Sequence, residues 1–357
     1  MIRQLGAGVT VLIAGMAVPA PAIAQSPSCY ATQATMTPGS WRTPARPPQA
    51  APAPGLKLLR EIPLPGPANR FDYQSVEPAS SRIYLNHMNA GTTLVFSADS
   101  DKVIREISGL PRATGVWAVP SHHQVYVSAA GAHQVVIIDD RTLTVTSRIG
   151  DIKFPDGIAY ATAADKVFVS DESGGTDVVI DPKTGTKHST IDLGGEAGNT
   201  HYDSVSHCIL VAVQTRNQIV AIDPVTEKIV RRYDLPGSDH PHGFTIDEPG
   251  RLAFITGEGN TALQVLDLRS MKIIQTVAVG ADPDVLAWDP SWRRLYVAAE
   301  SGVLSTFWLD GSTLRPTGEV RMPHAHTVSV DPRTHLVYLP LESFNGKPVL
   351  QVYQPMR

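Results

Sequence analysis

The sequence predicts an all-β fold, a seven-bladed β-propeller of four-stranded antiparallel blades whose ring is closed by an N-terminal strand joining the last blade. Three observations predict it. A short β-rich run centred on a bulky apolar residue recurs seven times, at Tyr84, Tyr126, Phe168, Leu210, Phe254, Tyr296 and Tyr338. The spacing is 42 residues throughout, except 44 between Leu210 and Phe254. The last copy stops at Arg357 before a fourth strand, and a segment of that character precedes the first copy. Phased copies of this length, each with four short strands, are the signature of propeller blades.

In chain order, residues 1–24 read as an export leader. Arg3 is a positive n-region, Val9 to Val18 an apolar core, and Ala22-Ile23-Ala24 a small-x-small site with cleavage after Ala24. The apolar run is shorter than the roughly 20 residues a membrane span needs, and no later segment reaches that length. A periplasmic or secreted protein with no membrane span is therefore expected. Residues 25–55 read as a stiff linker, rich in proline and alanine as in Pro47-Pro48-Gln49-Ala50-Ala51-Pro52-Ala53-Pro54. Residues 56–357 are the propeller.

Each blade opens with a short strand that ends in a polar turn, such as Asp289-Pro290-Ser291 or Asp331-Pro332-Arg333-Thr334. The landmark strand follows, then a Gly/Ser/Asn loop and a third strand such as Gln134 to Asp139. A second turn of the Asp181-Pro182-Lys183-Thr184-Gly185 kind leads to the fourth strand. Asp and Thr bond nearby backbone N–H groups at such turns, and Pro presets φ. The landmark strands are continuous apolar runs because stacked blades bury both faces of an inner strand. Leu58-Leu59-Arg60-Glu61-Ile62 resembles the first copy's fourth strand, Val103-Ile104-Arg105-Glu106-Ile107. It is the expected closing strand, which leaves no open sheet edge between first and last blades.

The repeats, with runs such as Val125-Tyr126-Val127-Ser128 and Leu295-Tyr296-Val297-Ala298, resemble YVTN-repeat propellers of the YncE-like kind over essentially the whole domain. The strict tetrapeptide is degenerate here. The resemblance implies the fold and, for function, only a scaffold with many uses. The blade motifs of WD, kelch and quinoprotein propellers are absent.

Composition excludes several classes. The chain is 42% hydrophobic and 18% charged, which excludes disorder. A net charge of −4 with no basic run argues against a nucleic-acid partner. There is no CxxC zinc pair, no CxxCH haem site and no Gly-x-Ser-x-Gly nucleophile. Ser173-Gly174-Gly175-Thr176 joins two predicted strands and opens no helix, so it is a blade loop and not a phosphate cradle. The two cysteines, Cys29 and Cys208, can pair in an oxidising compartment, but spacing leaves open whether they do.

Functional residues emerge when the sequence is phased against the repeat. In a propeller, the start of the first strand and the end of the second lie on one face, around the channel mouth. Twelve and fourteen residues before the landmarks, blade five carries His242 and His240, blade six Asp284 and Asp282, and blade seven His326 and His324. Four residues after the landmarks come Glu258, Glu300 and Glu342. These blades are contiguous, so the residues form one arc of imidazoles and carboxylates. Arg70, Asp72, His87, Arg112 and Asp156 extend the same face as ligand-facing candidates.

Imidazole with carboxylate suits one divalent transition metal, such as Zn, Mn, Fe, Ni or Cu, better than Ca or Mg. The candidate ligands are His240, His242, Asp284, His324, His326, Glu258, Glu300 and Glu342. One reading is a scaffold that binds a metal, small molecule or protein at the channel mouth. The other is a metal-dependent hydrolase or lyase, similar in architecture to propeller lactonases and streptogramin lyases; for hydrolysis, a metal with an open position would acidify a bound water. The same residues also read as polar groups that satisfy strand-start backbone and a wet channel.

Overall fold

The computed structural model describes residues 1, 29, 55–322 and 325–356. The leader apart from Met1, the linker apart from Cys29 and Gly55, and His324 lie outside the described residues.

Seven four-stranded antiparallel sheets form the ring, as the repeat predicts. Blade one runs Gln74–Glu77, Arg82–His87, Thr92–Ser97 and Lys102–Ser108 from channel to rim. Blades two to six repeat this order, their first strands being Ala113–Val119, Pro155–Ala161, Ala197–Asp203, Pro241–Asp247 and Pro283–Asp289. Blade seven takes three strands from the C-terminus: Ser329–Val330, Val337–Phe344 and Lys347–Pro355. Its outermost strand is Leu56–Pro63, paired antiparallel to Lys347–Pro355 with Ile62 opposite Leu350. The last blade thus joins the two ends of the domain. Among the described residues, no helix is long and apolar enough to cross a membrane.

The landmark residues are the core. Tyr84, Tyr126, Phe168, Leu210, Phe254, Tyr296 and Tyr338 are all buried between blades. Second and third strands are buried on both faces, as in Cys208–Val213, whereas outer strands such as Lys228–Asp234 alternate between buried and exposed positions. That is the pattern expected when only the rim strand has a solvent face. The Asp-Pro turns use the expected chemistry: Asp181 Oδ1 accepts from Lys183 N at 2.8 Å, and Asp331 Oδ1 from Arg333 N at 2.9 Å. On the face opposite the mouth, His335 of blade seven pairs with Asp289 of blade six at 2.7 Å, clamping neighbours.

Cys29 and Cys208 form a disulfide that closes a separation of 179 residues. It ties the segment before the propeller to the second strand of blade four. Cys29 packs with Leu210, Tyr233 and Phe244 in the core shared by blades four and five.

Candidate functional site

The backbone at the start of each first strand aims the functional side chains. In blades two to six the register with the second strand slips there, for example between Pro155 and Ile158 and between Pro241 and Phe244. Such bulges re-aim a side chain out of the regular pleat. Asp156, His242 and Asp284 sit in these bulges and turn into the channel. Two glycines let neighbouring blades close up around them. A Cβ on Gly115 would overlap the carbonyl oxygen of Asp156, and one on Gly243 that of Asp284. Ser128 Oγ donates to the Asp156 carbonyl at 2.7 Å and Thr256 Oγ1 to the Gly243 carbonyl at 3.0 Å, which fixes the bulges in place.

The structure brings Asp72, Asp156, His242, Asp284 and His326 together. Each is at most 6% exposed. Asp284 is the hinge of the cluster: its Oδ2 lies 2.9 Å from His326 Nε2, and its Oδ1 lies 3.4 Å from His242 Nε2. Around His326 the contacts are short. Asp72 Oδ1 stands 3.0 Å from Nε2, and the Arg70 guanidinium lies alongside, 2.8 Å from the same nitrogen. Arg70 also pairs with Glu300 at 3.0 Å, and Glu300 faces His326 Nδ1 at 3.5 Å. Around His242 the contacts are longer. Asp156 lies 3.6 Å from Nε2, and Glu258 lies 3.6 Å from Nδ1.

The charges respond to both burial and one another. Burial alone would lower the pKa of His242, but Glu258, Asp284, Asp156 and Glu172 outweigh it and raise it to about 9. The same contest at His326, won by Asp284 and Asp72, gives about 10. Burial raises Asp156 well above the carboxylate range and lifts Glu258 to about 7, with His242 opposing in both cases. Asp284 goes the other way. Burial is outweighed by His326, His242 and Arg70, which hold it below the carboxylate range.

Three of the phased candidates are placed elsewhere. His240, Asp282 and Arg112 are exposed, with positive φ of 51°, 52° and 50°. This left-handed turn sends their side chains outward: His240 pairs with Asp239 at 2.8 Å, and Arg112 covers the Phe154 ring. Their contribution is backbone. The carbonyls of His240 and Asp282 accept the N–H groups of Glu258 and Glu300 at 2.9 and 2.8 Å, which positions those carboxylates on the rim. His87 is fully buried and stacks on Phe71, with ring centroids 4.0 Å apart. Two sets of groups lie at ligand spacing among the described residues: Asp72, Asp284 and His326, and His242, Glu258 and Asp284. Neither includes Glu300 or Glu342.

Phasing by residue type missed Tyr73 and gave no role to Glu172. The Tyr73 hydroxyl lies 2.9 Å from His242 Nε2, 3.4 Å from Asp156 Oδ2 and 3.5 Å from Asp284 Oδ1. Burial and the surrounding carboxylates raise its pKa, so it stays a neutral phenol that accepts from His242 and donates to a carboxylate. A signal was present: Tyr73 occupies the repeat position that Gly115, Gly157 and Gly243 hold in blades two, three and five. A bulky residue there reaches across the channel.

No protein-family profile and no curated protein matches the chain. Solved structures do. A chain of Kuenenia stuttgartiensis hydrazine synthase superposes with a TM-score of 0.67 at 13% identity, covering 80% of this chain and 95% of that one. The WD40 repeats of RRP9 superpose with a TM-score of 0.70 at 8% identity, covering 86% and 99%. At these identities the likeness shows the seven-bladed propeller fold and nothing about activity.

Proposed function

We propose that this chain is an exported, YncE-like propeller that binds a divalent transition-metal ion in the buried cluster at its channel mouth. The observation that carries the reading is the meeting of buried imidazoles and carboxylates, drawn from blades distant in sequence, with Asp284 at ligand spacing in two groups. Nitrogen and oxygen donors of this kind suit Zn, Mn or Fe. Kinship with the YncE-like propellers is supported by the seven phased copies and their degenerate tetrapeptides. Export is supported by the leader-like residues 1–24 and by the Cys29–Cys208 disulfide, since such bonds persist in oxidising compartments.

The test is elemental analysis of the purified protein, followed by thermal unfolding with added Zn²⁺ or Mn²⁺ and with a chelator. Binding to the native state raises the melting temperature by mass action. Protein that carries no transition metal, and whose melting temperature moves with neither ion nor chelator, would sink the reading. N-terminal sequencing of the exported protein should begin at Gln25.

A further inference from the structure

The two ends of the metal-spaced cluster are not equivalent. The end at His326 already holds a cation: the Arg70 guanidinium lies within 3.0 Å of both His326 and Glu300. Asp72 Oδ1 and Asp284 Oδ2 lie 3.0 and 2.9 Å from His326 Nε2, and the Arg70 guanidinium crowds the same nitrogen at 2.8 Å, so its positive charge already sits among the carboxylates of this end.

The end at His242 differs in three ways. Asp156 and Asp284 lie 3.6 and 3.4 Å from His242 Nε2, the nitrogen that Tyr73 also engages, and Glu258 lies 3.6 Å from Nδ1. Those separations exceed a good charge-assisted hydrogen bond. The Nδ1–Glu258 separation matches two donors on one ion, because ligands about 2.0–2.2 Å from a tetrahedral centre stand about 3.3–3.6 Å apart, and Asp284 completes a set in which one ligand atom each of His242, Glu258 and Asp284 lies within 4.8 Å of the others. Finally, His242 Nδ1 is buried and has no hydrogen-bond partner, while Nε2 is engaged by the Tyr73 hydroxyl at 2.9 Å. A ring nitrogen tied to a hydroxyl, with its other nitrogen free, is the arrangement that orients a histidine ligand.

The geometry points to a single-ion site formed by His242, Glu258 and Asp284, with Arg70 standing where a second ion would otherwise bind between Asp72, Asp284 and His326. This inference rests on the metal-binding reading above and adds stoichiometry, position and the role of Arg70. Arg70 acts as a built-in counter-cation that keeps the centre mononuclear although Asp284 has an oxygen facing each histidine.

The experiment is isothermal titration of metal-stripped protein with Zn²⁺ and with Mn²⁺, with stoichiometry checked by elemental analysis after desalting. The wild type should bind one ion. His242→Gln and Glu258→Gln should each weaken that binding at least tenfold. Arg70→Met should bind two ions, and the Arg70→Met/His242→Gln double variant should bind one. Two ions in the wild type, one ion in a folded Arg70→Met protein, or unweakened binding in His242→Gln would each overturn the assignment while leaving metal binding intact. If Arg70→Met does not fold, the wild-type stoichiometry and the two Gln variants still decide the matter. No binding in the wild type or any variant would overturn the metal-binding reading itself.

Discussion

The His326 and His242 halves of the channel mouth are built from the same repeat positions, yet they solve the problem of buried charge differently. Around His326, an arginine and an imidazole are packed onto Asp72, Asp284 and Glu300 at hydrogen-bond distance. Around His242, one imidazole faces Asp156, Glu258 and Asp284 at longer range. Buried ions are tolerated when neighbouring charges compensate them and their hydrogen bonds are made. The first half meets that condition from within the chain. The second meets it only in part, since its carboxylates stand 3.4–3.6 Å from the imidazole.

The largest test of the comparison is Asp284, which serves both halves. Asp284→Asn should destabilise the metal-free protein by about 3–5 kcal/mol in denaturant unfolding, because it leaves His326 and Arg70 under-compensated in a buried site. A loss under 1 kcal/mol would mean that the two halves are not coupled through this carboxylate. Cys29→Ser/Cys208→Ser should cost about 2–4 kcal/mol without altering metal stoichiometry. A change in stoichiometry would show that the mouth depends on the anchored N-terminal segment.

The next pair of variants contrasts the halves by sign. Asp72→Asn removes a charged acceptor 3.0 Å from His326 Nε2 and should cost about 1.5–3 kcal/mol. Asp156→Asn removes a carboxylate whose imidazole neighbour stands 3.6 Å away. It should leave the metal-free protein unchanged or more stable by about 1 kcal/mol. Equal losses at the two positions would erase the distinction between a filled and an open half.

A smaller effect separates the mouth from the blades. Asp177, between blades three and four, is fully buried and accepts from Thr200 Oγ1 at 3.2 Å. Burial pushes its pKa from 3.8 to about 7. The native protein therefore holds a proton on Asp177 that the unfolded chain releases across this interval, and stability falls as pH rises toward 7. Asp177→Asn should raise the melting temperature above pH 7, by roughly 1 kcal/mol of stability after relaxation, and leave it unchanged below pH 4. A gain independent of pH would assign the effect to packing.

The fold was largely legible from sequence because a propeller is written locally. Each blade carries its own landmark, such as Tyr126 or Tyr296, and its own polar turns, such as Asp181-Pro182 or Asp331-Pro332. The closing strand at Leu56–Pro63 could be found by its likeness to Lys102–Ser108. The site was legible in part. Phase put His242, Asp284 and His326 on one face, since strand direction fixes which end of a blade a residue occupies. Phase could not see that His240 and Asp282 take left-handed backbone and turn outward. Tyr73 was overlooked because its importance lies in its length and not in titratable chemistry.

The sequence by itself determined the number of blades, the order of strands within them, the means of closure and the face on which the histidines gather. All of these follow from periodicity and turn chemistry within about one repeat. Only the tertiary structure decided which groups meet, that Cys29 bonds to Cys208, and that the cluster divides into a half where Arg70 packs on His326 and a looser half around His242. Arg70 and His326 are 256 residues apart in the chain. Their encounter, and the strength of every charge around them, depends on the width of the closed ring and the loss of water inside it, which no single repeat encodes.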